Sequence, residues 1–275
     1  MSYASAFQGI RPSPVFLGVL AATALGGALA WFGDPGEPLS KLGAFVFVLA
    51  GWLVTLCLHE FGHAFAAWRF GDHDVAIKGY LDLDIRRYTD PLNSLVIPLV
   101  IILIGGIGLP GAAVYLDTQW MQKKKRTIVS LAGPGANLLA AVVLLGAGAL
   151  GGGVPLFRQT LGGADGELVF GSGHLVFWGA VEFLGLLQVF ALVINLLPIP
   201  GLDGYGAIEP WLSYETQRKL YPVRQWAFLV LFLVLLMPNP LGSLIRELVW
   251  SVFGLLGGNQ LLAVLGQSFA LPWQR

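Results

Sequence analysis

Residues 42–68 read LGAFVFVLAGWLVTLCLHEFGHAFAAW, and this stretch decides the fold class. Residues 42–58 carry no charge, close to the roughly 20 apolar residues that a membrane-crossing helix needs. His59, Glu60 and His63 then interrupt an apolar run that resumes through Phe65-Ala66-Ala67-Trp68. Ionisable groups inside such a segment are costly and mark a functional site by default. The rest of the chain has the same character. Its 275 residues are 56% hydrophobic and only 12% charged, with mean hydropathy +0.72. A soluble domain carries about 25% charged residues, so this chain cannot cover a water-facing surface. The same numbers exclude disorder. Sixteen basic and sixteen acidic residues cancel, which leaves no basic excess for nucleic acid. A single cysteine, Cys57, excludes an internal disulfide framework. The reading is an all-α polytopic membrane protein.

Working outward, apolar stretches recur at 15–33, 91–116, 127–157, 183–202, 225–245 and 248–274. Together with 42–68 they predict about six transmembrane helices. The first is a retained span, because one arginine (Arg11) and no clear small-residue cleavage site do not make a signal peptide. Residues 75–85 differ. Val75, Ile77, Gly79, Leu81, Leu83 and Ile85 alternate with Ala76, Lys78, Tyr80, Asp82 and Asp84, the period of a half-buried strand. A small β-strand or hairpin is expected there, placed either to pair with another extended segment by strand addition or only to pack on the membrane surface. Basic residues cluster at Arg69, Lys78, Arg86-Arg87, Lys123 to Arg126 and Arg218-Lys219-Arg224, whereas 33–41 and 150–174 hold one each. By the positive-inside rule these clusters face the cytoplasm. That holds only if 91–122, broken by Pro98, Gly105-Gly106 and Pro110, enters and leaves by one face as a re-entrant segment.

His59-Glu60-Phe61-Gly62-His63 is a His-Glu-x-x-His pattern. Helical positions i and i+4 share a face, so both imidazoles reach one zinc while Glu60 stands next to that face, able to activate water. With four His and seven Glu in the chain, about 0.0015 chance matches are expected. A catalytic zinc site needs a third protein ligand, often a carboxylate. Asp203 is the best candidate, since it follows the 183–202 stretch on the cytoplasmic side and Pro200, Gly201 and Gly204 suit a sharply bent loop. Glu182 and His174 fall at the outer end of that stretch and read as interface residues. His73 reads as a solvated loop histidine, Cys57 as no ligand, and Lys123 to Arg126 as a headgroup anchor.

These residues, with Asn195-Leu196-Leu197-Pro198 and Leu202-Asp203-Gly204, resemble the site-2 protease family of intramembrane zinc metalloproteases. Ala132-Gly133-Pro134-Gly135-Ala136-Asn137 is similar to the family's Gly-Pro-x-x-Asn element. The resemblance covers about 42–206. It implies one zinc ion held by His59, His63 and Asp203, Glu60 as catalytic base, and Asn195 near the zinc, holding substrate or the oxyanion. Asn137 is read equally as a site residue or a helix-packing amide. The implied substrates are single-pass membrane proteins cut within the bilayer, in a bacterial or archaeal cell membrane, with the site toward the cytoplasm. Residues 150–174 are too short for the PDZ domain that many bacterial relatives carry. The expected organisation is one membrane-embedded metalloprotease domain over 1–275, with a core of about 42–206 and accessory helices at 15–33 and 225–274. The competing reading is a transporter or metal-handling protein using the same His/Asp cluster; only a protease needs Glu60 as a base.

Overall fold

The computed structural model describes residues 10–88, 118–151, 155–157, 168–170 and 174–273. Helix α1 (Pro14–Phe32) begins where Ser13 caps it: Ser13 Oγ accepts the Phe16 N–H at 3.1 Å, and Pro14 supplies the preset first-turn φ. Helix α2 (Pro38–Arg69) has 32 residues and rises about 48 Å, more than the roughly 30 Å hydrocarbon core. It stops at Phe70, and Gly71, at φ +110°, turns the chain back. The two helices pack backbone to backbone, since a Cβ on Gly43 would stand 2.7 Å from Ala30 N.

Residues 75–85 are not a strand. They form the helical turn α3 (Asp74–Ile77), a pair of turns, and the start of a second helical turn, α4 (Ile85–Tyr88). Gly79 at φ +71° and Leu83 at φ +50° break any extended run. Local bonds consume the backbone donors: Lys78 N–H to Asp74 O (2.9 Å), Tyr80 N–H to Val75 O (3.0 Å), Asp82 N–H to Gly79 O (3.2 Å). No ladder can form from groups already spent, so strand addition by this segment is withdrawn. The alternation was half real. Val75, Leu81, Leu83 and Ile85 are in the core, but Ile77, on the same parity, is 83% exposed.

Helix α5 (Lys123–Gly151) leads to a short antiparallel pair, β1 (Pro155–Phe157) with β2 (Leu168–Phe170), in register Pro155↔Phe170. Helix α6 (Leu175–Asn195) follows and is the axis of the bundle, buried on every face and packed against α1, α2 and α5. The β pair therefore precedes the start of α6, about 30 Å of helix from Asn195. After a bent loop come α7 (Asp203–Ile208), α8 (Tyr214–Leu220), α9 (Arg224–Leu236), α10 (Pro240–Leu255) and α11 (Gln260–Ala270). Helices α10 and α11 also pack on α6.

Among the described residues α1, α2, α5 and α6 are long and apolar enough to span a bilayer, and Leu229–Leu236 with α10 makes a fifth only if their 82° bend is one broken span. Of the expected six, four or five are found among the described residues, and most of 91–122, the re-entrant candidate, lies outside them. The division at Arg246-Glu247 was misplaced. Pro238 and Pro240 break the chain, and α10 runs straight through Arg246 and Glu247, which are exposed while Ile245, Val249 and Phe253 are buried.

Candidate metal centre

The site gathers at one end of the bundle. The last turns of α2, the first turns of α5 and the end of α6 meet there, because α5 runs antiparallel to α2 and α6 returns. On α2, His59, Glu60 and His63 are all buried, at 5%, 2% and 7% exposure. Helix α6 ends at Asn195, and the chain then bends through Pro198, Pro200 and Gly201, the last at φ +102°, a conformation that favours glycine. The bend is tight enough that Leu202 N–H returns to Ile199 O at 3.0 Å. It delivers Asp203, in the first turn of α7, over the two histidines.

Asp203 Oδ2 lies 3.2 Å from His59 Nε2, Asp203 Oδ1 lies 3.3 Å from His63 Nε2, and the two Nε2 atoms are 3.1 Å apart. Three donors set tetrahedrally around one zinc at 2.0–2.2 Å would lie about 3.3 Å from one another. The spacing is that of ligands sharing an ion. Hydrogen bonding agrees. His63 Nδ1 meets the Val129 carbonyl at 2.7 Å, and a carbonyl only accepts, so a neutral ring carries its hydrogen there and leaves Nε2 bare. His59 Nδ1 is bonded to Asn137 Oδ1. Gly133 of α5 closes the cradle. A Cβ on it would fall on His63 Nε2 and 2.7 Å from His59 Nε2, so only the bare backbone leaves room for an ion. Asp203 would supply the carboxylate among three ligands of such an ion.

A cavity of about 820 Å³ opens onto His59, Glu60, His63 and Asp203, and Asn195 lines it. Asn195 is 5% exposed, and its Nδ2 has no hydrogen-bond partner among the described residues. That is a donor held ready at the cavity wall. All five expected site residues thus share one cavity. Asn137 belongs to the site rather than to helix packing alone, since it touches His59.

Other expectations are corrected. Glu182 is not an interface residue: it is 1% exposed inside α6 and accepts the Asn259 N–H at 3.1 Å. His174 does stand at the start of α6, as expected of its position, and stacks on Trp31 with ring centroids 3.6 Å apart. Arg126 is no simple headgroup anchor, because it pairs with Glu209 at 3.2 Å and lines the cavity. His73 is exposed and Cys57 is buried outside the cluster, as read. Sequence reasoning missed Gly133 as the floor of the site and Gln188 behind Asn137. Gln188, seven residues before Asn195 and, with it and Glu182, one of only three such polar side chains on α6, was the available signal.

No solved structure matches the chain. Among curated sequences it is 52% identical over 267 residues to a protein of Mycolicibacterium smegmatis named "Putative zinc metalloprotease Rip2", covering 97% of this chain and 96% of that one. The Mycobacterium tuberculosis H37Rv protein of the same name is 51% identical over 274 residues, covering 99% and 98%. A Bacillus subtilis protein named "Putative zinc metalloprotease YwhC" is 30% identical over 208 residues, covering 75% and 85%. Residues 45–238, from the helix bearing His59 and His63 past Asp203 to the break after α9, match peptidase family M50. Cluster, cavity and sequence agree: the chain is a member of peptidase family M50.

Proposed function

We propose that this integral membrane protein is an intramembrane zinc endopeptidase that cuts single-pass membrane proteins within the bilayer. The observation that carries the reading is the convergence of His59 Nε2, His63 Nε2 and Asp203 at 3.1–3.3 Å beside Glu60. Membership of a peptidase family and relatives named as zinc metalloproteases support it. They disfavour a transporter, which has no use for Glu60.

His59, His63 and Asp203 would hold one zinc ion. Bound there, zinc supplies Lewis acidity, which acidifies water and polarises the scissile carbonyl. Glu60, buried on the same turn of α2, takes the proton of the attacking water and returns it to the leaving amide nitrogen. The Asn195 amide, with its free Nδ2, donates to the oxygen on which charge develops. Desolvation by the surrounding helices strengthens both interactions. Non-helical backbone at membrane depth is tolerated where it lines a wet cavity, and the Pro198–Asp203 bend is such a wall.

The cytoplasmic placement rests on charge. Arg69, the Lys123 to Arg126 run and Arg218-Lys219 all sit at the end of the bundle that holds the site. His59 lies ten residues before Arg69, about 15 Å below that end. The unit reads as one metalloprotease domain, with a core of about 42–206 and α1 and 225–274 as accessory helices. The test is cleavage of a single-pass substrate in liposomes by the wild type and by Glu60→Gln. Cleavage by the wild type and its loss by at least about 100-fold in the variant are expected, the contribution of a general base. Equal cutting, or zinc flux without cutting, would overturn the reading.

A further inference from the structure

We propose that Gln188, on α6, is a positioning residue for the metal centre: acting through Asn137, it decides which nitrogen of His59 carries the hydrogen and so whether Nε2 is bare toward the metal. This rests on the zinc reading above. The observation is a chain of three buried side chains from three helices. His59 on α2 is bonded through Nδ1 to Asn137 Oδ1 on α5, and Asn137 Nδ2 donates to Gln188 Oε1 on α6 at 2.9 Å. Their exposures are 5%, 4% and 1%.

An asparagine can face a histidine with either end of its amide. With Oδ1 toward the ring, Nδ1 carries the hydrogen and Nε2 presents a lone pair to the point it shares with His63 and Asp203. With Nδ2 toward the ring, Nδ1 must accept, the hydrogen moves to Nε2, and it points at the place the ion needs. Nothing at His59 itself makes the choice. Gln188 does, because it turns its Oε1 rather than its NH2 to Asn137, and that oxygen only accepts. It takes a hydrogen from Asn137 Nδ2 and so holds Oδ1 on the ring. His63 needs no such relay, since its Nδ1 faces the Val129 backbone carbonyl at 2.7 Å. One ligand is oriented by the main chain and the other by two amides in series, the outer-shell arrangement that tunes metal sites.

A packing role alone does not account for the residue. Gln188 Nε2 is buried with no hydrogen-bond partner among the described residues. Leaving a buried donor unmet is unfavourable, so for the fold by itself an apolar side chain of similar length serves as well or better. Among the described residues the group that the amide serves is Asn137.

The test uses the purified full-length chain in lipid nanodiscs. Zinc affinity is read by competition with a chromophoric chelator, and the Tm of the metal-free protein is measured alongside. Gln188→Met removes the acceptor and keeps the volume. Zinc affinity is expected to fall about 10- to 100-fold, the usual effect of losing an outer-shell partner, while the Tm of the metal-free protein holds or rises. Asn137→Asp offers His59 an acceptor whichever way it turns. Adding Gln188→Met to that variant is expected to cause no further loss. Unchanged zinc affinity in Gln188→Met, or a further loss in the Asn137→Asp background equal to that in the wild type, would overturn the proposal. A wild type that binds no zinc would overturn the metal reading, and this inference with it.

Discussion

Glu182 and Asp203 are two carboxylates drawn into the same bundle, and the more deeply buried one is not at the site. Glu182 is 1% exposed, whereas the Asp203 side chain keeps 23%. Glu182 sits against the bare backbone of Gly148, and its Oε2 accepts the Asn259 N–H that starts α11. Its bonding is closed by the main chain. Asp203 instead offers two oxygens to two imidazole nitrogens, and those nitrogens face each other. Three lone-pair donors aimed at one point repel unless a cation joins them. Burial alone would have ranked these two residues in the wrong order; convergence of unsatisfied donors ranks them correctly.

The comparison can be broken most severely at the glycines beneath each carboxylate. Gly133→Ala places a methyl on both metal-facing nitrogens. It is expected to abolish zinc binding and cleavage while the protein still folds, as read by bound zinc per chain and by circular dichroism. Gly148→Ala crowds Glu182 in the same manner at the other place. It should destabilise by about 1–3 kcal/mol, the usual cost of overpacking, and leave zinc content intact. If Gly148→Ala lost zinc and Gly133→Ala did not, the assignment of the two regions would be reversed.

A smaller effect separates binding from chemistry within the site. Asn195→Ala is expected to lower kcat by about 100- to 1,000-fold with zinc affinity unchanged, the signature of an oxyanion donor. A fall in KM-dependent binding alone would place Asn195 on substrate rather than on the developing charge. Glu182→Gln keeps an acceptor for Asn259, so cleavage and zinc content should stay at the wild-type level.

The smallest effect falls outside both regions. Asp84 accepts from Arg86 N–H at 3.1 Å and from its Nε and Nη2 at 2.9 and 2.7 Å. These bonds to Arg86 hold its carboxyl below the usual range. A depressed pKa contributes stability that is present above the ordinary carboxylate pKa of about 3.9 and is lost as pH falls through the folded value. Asp84→Asn should therefore lower the Tm slightly at pH 7, with a difference from wild type that shrinks in acid. A pH-independent difference would show that the charge of Asp84 contributes nothing.

Where sequence reading succeeded, the signal was local. His59 and His63 are four apart on one helix, so their common face follows from helical geometry alone. Residues 75–85 failed for the opposite reason. A period of two predicts a strand only if a partner edge exists, and here the α2 end and Ser13 supply packing and a single backbone bond, Ser13 N–H to Asp82 O at 2.8 Å, in place of a ladder. The split at Arg246-Glu247 failed because charge on the outer face of an amphipathic helix does not end it, whereas Pro238 and Pro240 do. Gln188 and Gly133 were invisible as site residues, since their importance lies in what faces them from other helices.

By itself, the sequence determined that this chain belongs in a membrane, because too few charges remain to cover a water-facing surface. It also determined that His59, Glu60 and His63 form one face, because helix periodicity is set within a single turn. Only the tertiary structure decided the rest. It brought Asp203 across 140 residues to within 3.3 Å of His63, emptied the floor at Gly133, and set Asn137 and Gln188 behind His59. Coordination and hydrogen bonding depend on atoms a few ångströms apart in space, and a linear pattern carries no such distances between helices.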